Sequence, residues 1–422
     1  MAKEYQRVVV IGGGIVGAMC AWYLVQSGRK VTIVERGKFG AGCSHGNCGY
    51  VSPSHVLPLP KPGAIKNAMG MMRRPNSPLS VKFPPPWSLV KWLWHFGRRC
   101  NESDMMEAAA ARHALLQSSM RLYEDLVEAE LIRCEWKREG LMFVFLNEKH
   151  FDEYAHVDKL LRENFDVPAT PYDGNQLTAL EPALKPGLGG AWHYEGDRHL
   201  RPDRLMSQMY SLLESQDVEI VEDFTVDEVH RQGEQATAVV SKNQLAESIE
   251  ADAFVMATGA WTPFLNEQLG CRIPIQPGKG YSMTMPCPAK MPKIPMLFEE
   301  HRVGVTPMET TYKLGSMMEF VGYDDSISPD RMQVLRDAAE IYLHDPYCEP
   351  IHEQWCGWRP MTWDGKPIID RSPALKNVWI AAGHNMLGIS MSTGTGKLIE
   401  QLMSGEEPHI DPQPYAISRF GS

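Results

Sequence analysis

The chain of 422 residues has no internal repeat and no low-complexity tail, which excludes a solenoid and a disordered module. Its nine cysteines are an odd number and lie scattered. Even the close pair Cys43 and Cys48 has no histidines at zinc spacing. No metal is expected, and a reducing cytoplasm is the expected setting. Basic stripes with interleaved aromatics are missing and net charge is −10, which argues against nucleic acid as a partner. No catalytic triad is spelled out either. An uncharged stretch does cover residues 8–28, but it holds five glycines, whereas a membrane span is dominated by bulky apolar residues. No small-residue cleavage site follows it where a signal peptide needs one. What remains is an ordinary globular composition, 43% hydrophobic and 22% charged, in a chain long enough for two or three domains.

Within the uncharged stretch, Val8 to Ile11 read as a buried parallel strand, short and β-branched. Gly12 allows a tight turn, Gly14 lets backbone approach a pyrophosphate, and Gly17 lets the next helix pack close to the sheet. That helix, Ala18 to Ser27 and stopped by Gly28, aims its positive N-terminal end at the phosphates. Lys30 to Val34 gives a second strand, and Glu35 at its end is placed to accept from ribose hydroxyls. Glycines alone are weak evidence. Strand, helix, second strand and acid in register make a dinucleotide site.

Turn-rich sequence follows to Ser52-Pro53, then a proline-rich stretch with Pro58, Pro60, Pro62 and Pro84-Pro85-Pro86. Two helical segments are expected at Met105–Ala114 and Leu115–Glu130, and a strong strand at Gly140–Phe145. From Arg204 the chain reads as helix (to Ser215), strand (Val218–Glu222), a meander around Thr225–Ser241, and a strand running into Ala257-Thr258-Gly259-Ala260-Trp261. A second strand-rich block, Ile273 to Val321, precedes a helix at Pro329–Leu343. Val378–Ala382 reads as a strand leading through Gly383-His384 to Gly388, and a last helix is expected from near Thr393 to Met403. Nucleotide-binding elements thus occur at the start, middle and end. The fold class expected is α/β, with a discontinuous Rossmann-like domain and an α+β domain inserted on a mainly antiparallel sheet.

Four segments carry a resemblance: the Gly12 fingerprint with Glu35; Gly42–Gly49 with Ser52-Pro53; Ala257–Trp261; and Gly357-Trp358-Arg359-Pro360-Met361-Thr362-Trp363-Asp364-Gly365-Lys366-Pro367, continued by Gly383-His384-Asn385 and Gly388. Together they resemble the FAD-dependent amine oxidoreductases of the D-amino-acid oxidase and glycine/sarcosine oxidase type, nearest the bacterial D-amino-acid dehydrogenases. The resemblance implies non-covalent FAD. Residues 1–58, 198–267 and 355–422 would form the FAD-binding domain, and 59–197 and 268–354 the substrate-binding domain. Cofactor contacts are implied for Gly12, Gly14, Ile15, Val16, Gly17, Glu35 and Arg36 in the first segment. Ser44, His45, Asn47, Cys48 and Gly49 form the flavin-side loop. Val226 offers backbone to adenine, and Thr258, Gly259, Trp261, Gly357, Gly383, Gly388 and Ile389 complete the set.

Arg359 lies between Trp358 and Pro360 in apolar surroundings, where an unpaired guanidinium is expensive. Its planar fork suits a carboxylate. The resemblance makes that the substrate's; a structural ion pair with Asp364 or Asp370 is the plain alternative. The run from Gly383 to the last helix would bring backbone N–H groups and a helix N-terminus to the flavin pyrimidine, where reduction leaves negative charge. His384 and Asn385 are candidates to face substrate, though His384 reads equally as a packed histidine. His45 stands where sarcosine oxidases have a flavin-facing histidine and D-amino-acid dehydrogenases a small residue. Cys356 is offset by one from a flavin-linking cysteine.

The activity implied is oxidation of a D-amino acid to an imine and then a 2-oxo acid plus ammonia. Hydride passes from the α-carbon to flavin N5, and electrons go on to a quinone or another acceptor. D-Proline, hydroxyproline, sarcosine or glycine dehydrogenases or oxidases are the rival readings, and a non-catalytic flavoprotein subunit is the rival of another class. Phe83, Trp87, Leu89, Trp92, Leu93, Trp94 and Phe96, followed by Arg98-Arg99, read as a helix packed on the core or as a peripheral contact with the inner face of the cytoplasmic membrane. Oligomeric state stays open.

Overall fold

The β-branched runs at the start, middle and end of the chain meet in one sheet. In the computed structural model, which describes residues 5–73, 77–242 and 247–421, its strand order is Ile368–Arg371, Val378–Ala382, Ala253–Met256, Arg7–Ile11, Lys30–Val34, Glu219–Val221. All neighbours are parallel except the first pair. Side chains along Arg7–Ile11 alternate between two cores. Val8 and Val10 pack with helix Ile15–Gln26 on one face, and Val9 and Ile11 with Phe254 and Met256 on the other. Such two-sided burial is why these strands read as continuous apolar runs.

Two helices, Gly388–Ser404 and Glu102–Glu128, stack over the Ile15–Gln26 face. Small residues make the approach close. A Cβ at Gly396 would come 2.5 Å from Met19 O, and one at Gly394 would come 2.9 Å from a Leu115 methyl. The last helix therefore starts at Gly388, five residues before the Thr393 expected from sequence, because its glycines serve packing and do not mark a boundary. Glu102–Glu128 is likewise one helix of 27 residues where two segments are expected. Nothing between Ala114 and Leu115 breaks it, and Asn101 caps its start by accepting from Asp104 N at 3.0 Å.

The larger sheet runs Glu353–Met361, Gln276–Met285, Tyr312–Phe320, Val303–Pro307, Met296–Phe298, Leu141–Phe145, Gly190–Tyr194, Thr170–Asp173, with Leu79–Val81 added beside Tyr312–Phe320. It is mainly antiparallel, as expected, with parallel pairs at Leu141–Phe145 and at Leu79–Val81. The boundary expected at 355 falls inside its edge strand. Glu353–Met361 pairs along its length with Gln276–Met285, so residues 355–361 belong to this sheet by hydrogen bonding. The chain then turns through Thr362–Pro367 into the six-stranded sheet. One continuous segment links both layers.

Candidate active site

Between the two sheets lies a cavity of about 1230 Å³. Single small-molecule pockets are about 300–1,000 Å³, so it has room for a dinucleotide together with a small substrate. The first segment forms one wall: Gly12, Gly14, Ile15, Val16, Glu35 and Arg36 all line it. Gly12 has φ +112°, and a Cβ there would sit 2.5 Å from Ala257 O, so turn and close approach both require glycine. Gly17 does not line the cavity. A Cβ on it would overlap the Gly12 carbonyl, which makes its role helix packing. Glu35 accepts from Gly13 N at 2.7 Å and Gly37 N at 3.0 Å, which fixes its carboxylate at the cavity wall. Ser44 Oγ accepts from Ile15 N at 2.9 Å and pins the second segment to the helix start.

Val226, Thr258, Gly259 and Trp261 line the same end. The Arg36 guanidinium lies 3.4 Å from the centre of the Trp261 ring. Burial pulls Arg36 below its ordinary pKa against the opposing charge of Glu35. Trp261 in turn meets Trp358 edge-on at 5.4 Å, joining this end to the motif strand. Asn47, Cys48 and Gly357 line the middle, while Gly49 does not, its positive φ serving a turn against Leu200.

Arg359 reaches into the cavity from the edge strand. A Cβ at Gly280, on the paired strand, would overlap its guanidinium, so that glycine makes the space. Nη1 donates to the Met317 carbonyl. Neither aspartate proposed as its structural partner is available. Asp364 is paired with Arg419 at 2.7 Å, and Asp370 accepts from the Arg371 and Ile417 amides. Among the described residues no carboxylate is ion-paired with Arg359. Burial lowers its pKa, opposed by the Cys43 and Cys48 thiols. An enclosed guanidinium with unused donors is a receptor for an anion.

Of the three other candidates expected to face substrate, His45 is placed elsewhere, and Asn385 and His384 line the cavity with their polar atoms engaged locally. His45 does not line the cavity; its Nε2 lies 2.8 and 2.9 Å from the two Glu353 carboxylate oxygens, and its hydrogen bond holds Glu353 below the usual carboxylate range. Asn385 lines the cavity, but its amide is spent locally. Oδ1 accepts from Thr362 N at 3.0 Å, and Nδ2 donates to Thr362 Oγ1 at 3.1 Å and Gly383 O at 3.0 Å. It holds the loop at φ +56° and is a positioning residue. His384 is buried with Nε2 2.9 Å from Thr395 Oγ1, and burial brings its pKa down to about 3. It lines the cavity beside Asn385 as an imidazole that is neutral at physiological pH. Gly383, outside the lining, supplies a turn at φ +79° against Thr362.

Gly388 and Ile389 do line the cavity. They open helix Gly388–Ser404, whose first turn has no acidic residue and no side-chain cap. The first N–H groups of a helix have no partner within it, so this end presents positive potential to the cavity. Sequence reasoning missed a second arm of the cavity, formed by helix Ala64–Met72, strand Leu79–Val81 and Trp92 with Phe96. Prolines around 58–62 made that region read as loop.

The glycine cradle, the Glu35 wall and the uncapped helix N-terminus fit a dinucleotide with a redox-active ring system, and define a flavoprotein oxidoreductase fold. The chain belongs to the DAO family of FAD dependent oxidoreductases, whose description matches residues 7–402. FAD is its cofactor. It is similar to glycine oxidase from Geobacillus kaustophilus, with 21% identity over 98% of this chain and 99% of that one, and a TM-score of 0.79. L-Proline dehydrogenase from P. horikoshii shares 18% identity over 99% and 98% of the chains at a TM-score of 0.73. L-α-Glycerophosphate oxidase from Mycoplasma pneumoniae, solved with FAD bound, shares 15% over 97% of both at 0.71.

Proposed function

We propose that the chain is an FAD-dependent amino-acid dehydrogenase, oxidising a D-amino acid to its imine, which water converts to the 2-oxo acid and ammonia. The observation that carries this reading is Arg359: a guanidinium enclosed beside the cofactor cavity, with the two nearby candidate aspartates engaged elsewhere. The amino acid's carboxylate is the natural anion for it. With the carboxylate held, the α-carbon is oriented and the amine faces into the cavity as the neutral base that hydride loss requires. FAD, when bound, supplies the two-electron acceptor. The uncapped start of helix Gly388–Ser404, which opens on the cavity, would stabilise negative charge on the reduced cofactor without reorganising. No protein base is called for, in keeping with a neutral, buried His384.

The likeness to a glycine oxidase and an L-proline dehydrogenase agrees with amino-acid-like substrates. The D-enantiomer and a quinone acceptor are part of the proposal, supported by the resemblance of the four segments together to bacterial D-amino-acid dehydrogenases. His45, turned away to Glu353, gives no reason to favour secondary amines. An anaerobic screen of flavin bleaching tests the proposal, using D- and L-amino acids with proline, hydroxyproline, sarcosine and glycine. Bleaching by a D-amino acid, followed by faster reoxidation with a soluble quinone than with oxygen, is expected. Bleaching by none would leave the non-catalytic flavoprotein reading standing.

A further inference from the structure

Helix Trp87–Arg98 has two aromatic faces, and only one is used. Trp92 is buried, stacks on Phe96 at 5.4 Å and donates from Nε1 to Pro274 O at 3.0 Å; Leu89 is buried beside it. The opposite side presents Trp87 at 72% exposure and Trp94 at 55%, with Phe83 at 90% just before the helix. Ile65, Met69 and Met72 on helix Ala64–Met72 are 43–46% exposed, and that helix has no buried residue at all. The two helices meet, since a Cβ at Gly97 would lie 3.1 Å from Ile65 Cδ1. A monomer in water seldom exposes so continuous an apolar face without use.

Two further observations say what covers it. Between Leu59 and Arg99 the sequence carries eight lysines and arginines and not one Asp or Glu, in a chain whose net charge is −10. Arg74 of that set lies outside the described residues. Arg272 joins from another element: with Lys91, Arg98 and Arg99 it adds to burial in holding His95 below its ordinary pKa. The Arg98 guanidinium sits 4.8 Å from the Trp94 ring. Arg99 is ion-paired with Asp104 at 2.7 Å, and the exposed tryptophans set among the remaining cations of this stretch complement an anionic lipid surface. Moreover, Ile65, Met69, Met72 and Leu93 line the cavity as well as being exposed, so its second arm meets the surface within this face.

We propose that this face seats on an anionic bilayer, with the cavity mouth between helices Ala64–Met72 and Trp87–Arg98 turned to the lipid. A lipophilic acceptor then enters without crossing water. The docking stands on the surface alone, while the acceptor route rests on the dehydrogenase reading above. In that route a quinone takes up two electrons and two protons to become the quinol as the reduced cofactor is reoxidised.

The test is flotation of the FAD-loaded protein with vesicles of phosphatidylcholine alone or with one quarter phosphatidylglycerol. The expected result is binding to the anionic vesicles, weakened by salt. The combined variant F83S/W87S/W94S should bind at least tenfold more weakly, with flavin bleaching by amino acid unchanged. K66E/K91E, two exposed positions, should weaken binding without altering the apolar face. Absence of binding to anionic vesicles, or binding that neither variant changes, would overturn the docking. So would a wild-type dimer that F83S/W87S/W94S converts to monomer, since the face would then bind a second copy. Failure of every amino acid to bleach the flavin would sink the acceptor route and leave the flotation result intact.

Discussion

Replacing Arg359 by alanine separates a substrate clamp from a structural cation. Within the protein, the Arg359 side chain donates to the Met317 carbonyl. Losing one such bond from a charged donor costs about 1.5–3 kcal/mol, so the variant should fold and retain FAD. Leaving a substrate carboxylate buried without its guanidinium costs about 2–5 kcal/mol. At about 1.4 kcal/mol per tenfold, the apparent Kd for an amino acid should rise roughly 30- to 4,000-fold. Arg359→Lys should fall between, keeping charge but not the two-pronged geometry. Anaerobic titration of flavin bleaching gives the affinity, and the same titration with the corresponding amine lacking a carboxylate closes a double-mutant cycle. The wild type should lose affinity for that amine, whereas Arg359→Ala should scarcely distinguish the two ligands. An alanine variant within threefold of wild type for the amino acid would refute the clamp.

Gly280→Ala should raise KM by displacing the Arg359 guanidinium while FAD content, read from the 450 nm to 280 nm absorbance ratio, stays at the wild-type level. Acid precipitation should release all yellow colour to the supernatant, because His45 is held by Glu353 and the Cys356 thiol donates to the Asp325 carbonyl at 3.3 Å; colour in the pellet would show a covalent link. Stability should fall between pH 6.5 and 4. Burial lowers His384 to about 3 and His55, His199 and His409 to about 4, so through that window the unfolded chain binds more protons than the native one. Asp197, raised to about 7 by burial, works in the opposite sense but is one group against four. A thermal midpoint at pH 5 equal to that at pH 7 would contradict this. Arg419→Ala, which strands a buried Asp364, should lower the unfolding free energy by about 3–5 kcal/mol in denaturant titration.

The parts of this molecule legible in its sequence are those whose cause is local. Val8–Ile11, Gly12 and Glu35 act through neighbours a few residues away, so spacing alone conveys their use. Arg359 was readable for a related reason: a cation between Trp358 and Pro360 needs an anion wherever it points. Direction was not readable. Whether His45 faces the cavity or Glu353 depends on a strand 308 residues later, and Asn385 is occupied by Thr362 across a turn. The second cavity arm escaped because a short helix after a proline run has no periodicity strong enough to announce it. Glycines misled at the last helix, where Gly394 and Gly396 are demanded by Leu115 and Met19, both distant in sequence.

The strand Glu353–Met361 carries Arg359 and then continues without a break into the turn that Asn385 ties down beside the cofactor cavity. The offset between the Arg359 guanidinium and the Asn385 loop is therefore set along one continuous stretch of chain, not by a hinge. Changes on the other strands and on the second arm can reshape the cavity while that offset stays fixed like a ruler.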